Sequence, residues 1–368
     1  EKESAEIQEF LRREDVRILT LTGIGGTGKT TLSKVVAGKM LADFKDGVFF
    51  IKLAAVTNPE LIASTIAQPL GLSEMGDKPI FEVLKDFLRD KQILLVIDNF
   101  EQIIEAAPTI AELISAAKKL KIVITSRVLL HLSAEREFIV APLSVPKEFS
   151  QNPPETFLKY EAVKLFVERA QKAKAGFLLT PENSLCIAEI CARLEGLPLA
   201  IELAAARVKI LTPAAILEKL ENRLQLLTGG ARDLPTHQQT MRGTIEWSYK
   251  LLNENEKRLF RRLAVFVGGF TFEAAEFVVN RETRQTIDVL DCITSLVEQS
   301  LLLSKEEKNG MIRFRMLEVV REYARETLIA SGEIELQKHF HAEYFLKLAE
   351  EAEPQMRSEK LADWLNTL

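Results

Sequence analysis

Gly23-Ile24-Gly25-Gly26-Thr27-Gly28-Lys29-Thr30 is the stretch on which the reading of this chain turns, because its spacing is G-x-x-x-x-G-K-[ST]. Each part has a job at a polyphosphate. The glycines let backbone N–H groups converge on phosphate oxygens, Lys29 reaches the β and γ oxygens, and the Thr30 hydroxyl can ligate Mg²⁺. Ahead of the loop, Val16-Arg17-Ile18-Leu19-Thr20-Leu21-Thr22 is β-branched and apolar, as a buried parallel strand requires. Behind it, Leu32, Val35, Val36 and Met40 fall on one face of a helix. A helix starting there turns its unsatisfied donors and the positive end of its dipole toward the anion. A glycine-rich turn that matched by chance would lack these flanks. The pattern predicts a bound nucleoside triphosphate with Mg²⁺, held by Gly23, Gly25, Gly26, Thr27, Gly28, Lys29, Thr30 and Thr31.

Working outward, short β-branched runs alternate with amphipathic stretches as far as Pro142, which predicts a parallel sheet flanked by helices. Four strands follow the first: Val48 to Leu53, Ile93 to Ile97, Lys121 to Thr125 and Glu137 to Ala141. Asn58 before Pro59 pairs a capping side chain with a proline at the first helical position. The strand Ile93 to Ile97 runs into Asp98-Asn99-Phe100-Glu101, placing a carboxylate at the C-terminal edge of the sheet, where open α/β sheets bind ligands. Asp98 is therefore the candidate partner of Thr30 for Mg²⁺, the bland alternative being an aspartate that caps a turn. The strand Lys121 to Thr125 ends in Ser126-Arg127, and a guanidinium at that edge can sense a γ-phosphate, although strand-terminal arginines are often plain surface.

Beyond Pro142 the strand signal fades. Ser150 to Glu155 reads as a linker, and residues 151–234 read as a helical domain in which Thr180-Pro181 and Thr212-Pro213 mark helix starts. Gly196 ends one helix, and Leu197-Pro198-Leu199-Ala200 starts the next at once. Residues 235–332 carry helices near Met241–Leu251, Asn255–Val267, Phe272–Asn280 and Thr286–Gln299. Two short strands follow, Leu301–Ser304 and Ile312–Arg315, a pattern that suggests a winged helix. Residues 333–368 read as helical, divided at Pro354, and as the start of a helical array of the tetratricopeptide kind. The expected architecture is thus an α/β P-loop NTPase over 1–150 followed by three helical parts.

Composition narrows the function classes. With 368 residues, 47% of them hydrophobic, the chain can build several cores. Its net charge of −5 offers no global attraction to nucleic acid, and residues 235–330 balance 14 Lys+Arg against 14 Asp+Glu. Cys186, Cys191 and Cys292 have no C-x-x-C spacing, which suits thiols in a reducing cytoplasm. His339 and His341 read as solvated helix surface, and no metal site built by protein alone is expected. No apolar run is long enough to span a bilayer. The abrupt charged start and the helical end read as a piece of something longer.

The phosphate loop, Ile97-Asp98-Asn99-Phe100-Glu101, Thr125-Ser126-Arg127 and Gly196-Leu197-Pro198-Leu199-Ala200 follow one another in an order that resembles the STAND class of signalling NTPases, of the AP-ATPase or NB-ARC type. The resemblance covers about residues 1 to 330. It implies ATP and ADP as ligands, a slow Mg²⁺-dependent ATPase, Pro198 against the nucleotide base, and self-association in the ATP-bound state. It also implies an N-terminal effector and a C-terminal sensor outside this sequence. Two positions depart from the family pattern. Asn99 stands where a second acid is common, leaving Glu101 as the nearby acid, with a side chain that substitutes at the site, faces solvent or accepts a helix-terminal donor. Leu317, in Phe314-Arg315-Met316-Leu317-Glu318, stands where an ADP-sensing histidine is expected.

Three functions follow. The first is a nucleotide-controlled switch whose catalytic residues are Lys29, Asp98, Glu101 and Arg127. The second is a DNA-handling or transcription-regulating ATPase that uses the winged helix, against which the neutral charge of that region argues. The third is a scaffold that binds ATP without turnover, suggested by Asn99.

Overall fold

The computed structural model describes residues 2–54, 56–74, 78–149, 153–230, 239–281, 287–307 and 310–352. The chain packs as two compact units: Glu1–Val145 with Lys159–Leu165 and Gly196–Glu202, and Pro146–Leu158 with Phe166–Glu195 and Leu203–Leu368.

The first unit is an α/β layer built on five parallel strands: β1 (Ile18–Thr22), β2 (Val48–Lys52), β3 (Leu94–Asp98), β4 (Lys121–Thr125) and β5 (Glu135–Ile139). Their order is β2-β3-β4-β1-β5. Helices α1 (Lys2–Arg12), α2 (Lys29–Lys39), α3 (Ile62–Ala67), α4 (Ile80–Leu88) and α5 (Ala107–Ala116) complete the layer. Because successive side chains of a strand point to opposite faces, the sheet carries two separate cores. Leu95, Ile97, Ile122 and Ile124 pack on one face with Ile62, Leu84 and Ile110. Leu19, Leu21, Leu94, Val96 and Val123 pack on the other with Ile7, Val36 and Met40. Each such fully buried side chain contributes about 1.5–3 kcal/mol.

All five expected strands are present, but β5 begins two residues early. The reason is polar: Thr20 Oγ1 donates to Glu135 Oε1 at 2.6 Å and Thr22 Oγ1 donates to Glu137 Oε1 at 2.6 Å, so β5 is registered on β1 by cross-strand hydrogen bonds rather than by apolar alternation. Helix α1 was absent from the sequence reading, which saw only its charges. Ile7 and Leu11 are buried beneath them, an amphipathic pattern with few apolar positions.

The second unit is helical except for its wing. Its chain opens with α6 (Pro154–Phe157) and α7 (Glu161–Ala173), the first residues of α7 belonging to the first unit. Next come α8 (Pro181–Arg193), α9 (Pro198–Ala206), whose residues up to Glu202 again belong to the first unit, α10 (Pro213–Lys219) and α11 (Arg223–Leu226). Thr180 N–H donates to Asn183 Oδ1 at 2.9 Å and Thr212 Oγ1 accepts from Ala215 N–H at 3.2 Å, so both proline-led starts are capped. Helices α12 (Met241–Leu251), α13 (Glu254–Arg262), α14 (Phe272–Asn280) and α15 (Val289–Glu298) precede the antiparallel pair β6 (Leu303–Glu306) and β7 (Ile312–Arg315). Phe270 bridges to Phe314, adding the third short strand of a winged helix.

Helix α16 (Glu318–Ala330) was not anticipated, and α17 (Ile334–Ala352) follows it. His341, expected to be solvated, is half-buried against Phe266 and Phe345, and burial lowers its pKa. Pro354, Arg232–Pro235 and Lys308-Asn309 of the wing turn lie outside the described residues. Among the described residues no helix is long and apolar enough to cross a membrane.

Between α16 and α17, Glu333 accepts from Arg261 Nε and Arg262 Nη2, both at 2.8 Å. Burial pushes the Glu333 carboxyl up, but the two guanidinium groups outweigh it and hold the pKa at about 2, below the ordinary 4.5. The stability from this pair is complete above pH 4.5 and is lost as pH falls toward 2. Thermal melts of wild type and Glu333→Gln should therefore differ most at pH 7, less at pH 3, and converge only near pH 2.

Candidate functional site

Strand order assembles the site. Since β4 lies between β3 and β1, the loop after β1, Asp98 at the end of β3 and the turn after β4 share one edge of the sheet. Thr30 Oγ1 donates to Asp98 Oδ1 at 2.7 Å across 68 residues of sequence. Thr125 Oγ1 donates to the same oxygen at 2.6 Å and accepts the Asn99 N–H at 3.0 Å. Thr125 is a bracing residue that the motif Thr125-Ser126-Arg127 does not reveal; the signal for it in the sequence is a threonine at the buried end of a central strand.

The loop itself is shaped by left-handed glycines, with φ of 139°, 88° and 90° at Gly23, Gly26 and Gly28. Thr27 is buried, and its hydroxyl donates to Ile24 O at 3.0 Å, shaping the loop rather than facing out. Thr31 is exposed on α2. Lys29 donates from Nζ to the Gly23 and Ile24 carbonyls. Although the residue is partly exposed, its ammonium is enclosed; burial pushes the pKa down to about 8, opposed by Glu101 and Asp98 and reinforced by Arg127.

Arg127 and Glu101 form a buried ion pair, Nε to Oε1 at 3.3 Å, with side chains only 5% and 4% exposed. Burial lowers the Arg127 pKa, and the Glu101 carboxylate works against that shift. Of the alternatives left open for Glu101, the structure excludes the solvent-facing one: the side chain is buried against Arg127. Asn99 adopts φ 67°, a left-handed conformation that asparagine tolerates better than most residues, and its Nδ2 lies 3.5 Å from Glu101 Oε1. An aspartate there would set one carboxylate against another.

The Gly-Leu-Pro-Leu-Ala segment belongs to the same unit as the loop. Leu199 N–H donates to Gly26 O at 3.1 Å, and a Cβ on Gly28 would lie 3.8 Å from Pro198 Cγ. Gly196, at φ 72°, donates nothing to the site but fixes this approach: its carbonyl accepts Leu143 N–H at 2.9 Å, and a Cβ there would fall 2.0 Å from Leu143 O. The structure thus gathers Lys29, Thr30, Asp98, Glu101, Arg127 and Pro198 around one loop.

These residues fit a Mg²⁺-polyphosphate. A glycine-shaped loop, an enclosed ammonium and a hydroxyl–carboxylate pair form a donor set for phosphate oxygens and a hard cation. Among the described residues no three His, Cys, Asp or Glu converge as a metal site, so Thr30 and Asp98 would hold Mg²⁺ only in company with phosphate and water.

The winged helix presents a second surface. Its third helix, α15, exposes Asp288, Leu290, Asp291, Thr294 and Glu298 and carries no lysine or arginine. A helix with this face repels a phosphate backbone.

The protein so defined is a P-loop NTPase coupled to a winged helix. The NB-ARC domain matches residues 1–133 and the Winged helix-turn-helix domain matches residues 252–329. A Mycobacterium tuberculosis protein assigned provisionally as an HTH-type transcriptional regulator is 38% identical over 334 residues, which is 90% of this chain and 36% of its own length. An uncharacterized M. tuberculosis protein is 34% identical over 321 residues, 87% of this chain and 78% of its own. Among solved structures, a STAND protein with a tetratricopeptide repeat sensor from Pyrococcus horikoshii aligns at TM-score 0.35 and 20% identity over 94% of this chain and 44% of that one. The chain belongs to the STAND-class NB-ARC NTPases. It spans little more than a third of the length of the regulator it matches.

Two outcomes are expected. Gly196→Ala should lower stability by about 2–4 kcal/mol in urea denaturation, because the side chain meets a backbone oxygen at a left-handed φ. Between pH 8 and 10.5 the folded protein has released the Lys29 proton that the unfolded chain still holds, so stability rises with pH across that window. A polyphosphate beside Lys29 restores the charge; binding in that window should take up a proton. Calorimetry in two buffers of different ionisation enthalpy measures the uptake, and identical apparent heats would rule it out.

Proposed function

We propose that this chain is the core of an ATP/ADP-controlled signalling switch with slow Mg²⁺-dependent hydrolysis. The observation that carries the reading is the Leu199 N–H to Gly26 O bond, which joins the start of α9 directly to the phosphate loop. A nucleotide filling that loop must meet Pro198 and Leu199, so its phosphates and its base report to a segment outside the sheet. A switch needs that link, because a ligand with equal affinity for two states shifts neither.

In this reading Lys29 and the loop N–H groups bind the phosphates, and Thr30 and Asp98 hold Mg²⁺, which when bound neutralises charge on the β and γ oxygens. Arg127 stabilises charge on the γ-phosphate, and Glu101 orients Arg127 through its Oε1 instead of standing free as a base. Electrostatic stabilisation with no strong general base suits slow turnover. Self-association in the ATP state, and an effector and a sensor in the rest of a longer protein, complete the proposal.

Regulation of transcription by the whole protein is the second reading, favoured by the name of the 38% identical relative. The acidic face of α15 argues that any DNA contact is made elsewhere. Salt-sensitive binding of this chain to duplex DNA would reverse that conclusion.

Scattering and mass measurements with ADP and with a non-hydrolysable ATP analogue should differ, and Lys29→Ala should abolish the difference; identical profiles for the wild type would refute the switch. In single-turnover assays, Arg127→Lys and Glu101→Gln should each slow hydrolysis on the order of 100-fold and combine non-additively. Independent effects would return Glu101 to the role of base.

A further inference from the structure

Helix α16 begins without a cap of its own: the residue at its N-cap position is Leu317, which has no side-chain acceptor. The missing acceptor comes from Glu195, 123 residues earlier. Glu318 N–H donates to Glu195 Oε2 at 2.5 Å, and Arg315 Nη1 donates to Glu195 Oε1 at 2.7 Å. Both oxygens of one carboxylate are therefore engaged by the turn that ends the wing, one by a guanidinium and the other by the positive end of a helix. Charge-assisted bonds of this kind are among the stronger ones a surface can offer. The Glu195 side chain is only 17% exposed, whereas Arg315 is 49% exposed.

The backbone at this point is equally particular. Glu195 has φ 51° and Gly196 has φ 72°, two left-handed residues in succession. Glycine adopts that conformation freely, but a glutamate does so only where its surroundings hold it. The surroundings here are the two carboxylate contacts. The tight turn they maintain reverses the chain between α8 and α9, and three residues on, Leu199 is bonded to the phosphate loop at Gly26.

We propose that Glu195 is a positioning residue for the nucleotide, resting on the reading of the chain as an ATP/ADP switch: its hold on Arg315 and on the start of α16 fixes the Glu195-Gly196 turn, and so the seat of Pro198 and the rate at which ADP leaves. Glu195 does not touch the nucleotide. It does by reach what a polar side chain at position 317 would do by contact, and it accounts for a leucine at that place.

Stopped-flow release of a fluorescent ADP analogue from the full chain tests this. Glu195→Gln keeps an oxygen for Glu318 N–H but loses the ion pair, and should speed release about tenfold. Arg315→Gln, on a half-exposed side chain, should speed it similarly, and the double variant should be no faster than either single one. Glu195→Asp should lie between wild type and Glu195→Gln. Glu333→Gln, which weakens a different ion pair in the same unit, should leave the release rate unchanged while lowering the melting temperature. Release within twofold of wild type in both Glu195→Gln and Arg315→Gln, or an equal acceleration in Glu333→Gln, would overturn the proposal. Wild type that fails to bind the analogue at all would instead bring down the switch reading, and this one with it.

Discussion

One carboxylate oxygen organises the nucleotide-binding unit. Asp98 Oδ1, at the end of β3, accepts from Thr30 at the start of α2 and from Thr125 at the end of β4, so two neighbouring strands and the helix after the phosphate loop are tied at a single point. The tie works only because β4 is inserted between β3 and β1. Given that order, the loop, the acid and the arginine after β4 converge without any long side chain having to stretch. The same bracing explains why Asn99 can take a left-handed backbone: its N–H already has a partner in Thr125.

Electrostatics then divides the labour among buried charges. Arg127 and Glu101 satisfy one another at the cost of their hydration, which makes removal of either partner worse than removal of both. Lys29, by contrast, lies among groups of both signs and keeps a lowered pKa. A cation whose proton is loosely held is one that a phosphate can recharge. The winged helix shows the opposite design, with acids on the outside of α15 and the guanidinium groups of Arg262 and Arg315 paired with Glu333 and Glu195.

Much of this was legible in the sequence because it depends on local patterns. The strands β1 to β4 are short runs rich in apolar and β-branched residues, and the phosphate loop has a spacing that few other structures need. What stayed hidden depends on distant partners. Glu135 and Glu137 set the register of β5 through threonines more than a hundred residues away, which no local pattern records. Helix α16 was missed because its cap comes from Glu195 and its first residue follows a leucine, so the usual start signal is absent. Helix α1 was missed because its buried stripe is thin. Glu101 is ambiguous from sequence because its direction is decided by Arg127, a residue in the turn after β4.

The charged register of β5 has a consequence for how copies of the protein can meet. β5 is an outer strand of the sheet, and its sequence, Glu-Arg-Glu-Phe-Ile, alternates charges along the free margin. A neighbouring chain that tried to prolong the sheet there would have to strip water from Arg136 and Glu137 and disturb acids already committed to Thr20 and Thr22. Growth by strand addition is disfavoured at that margin. Assembly through side chains and helices, which can be released, is favoured there over a continuous backbone ladder, which cannot easily be undone.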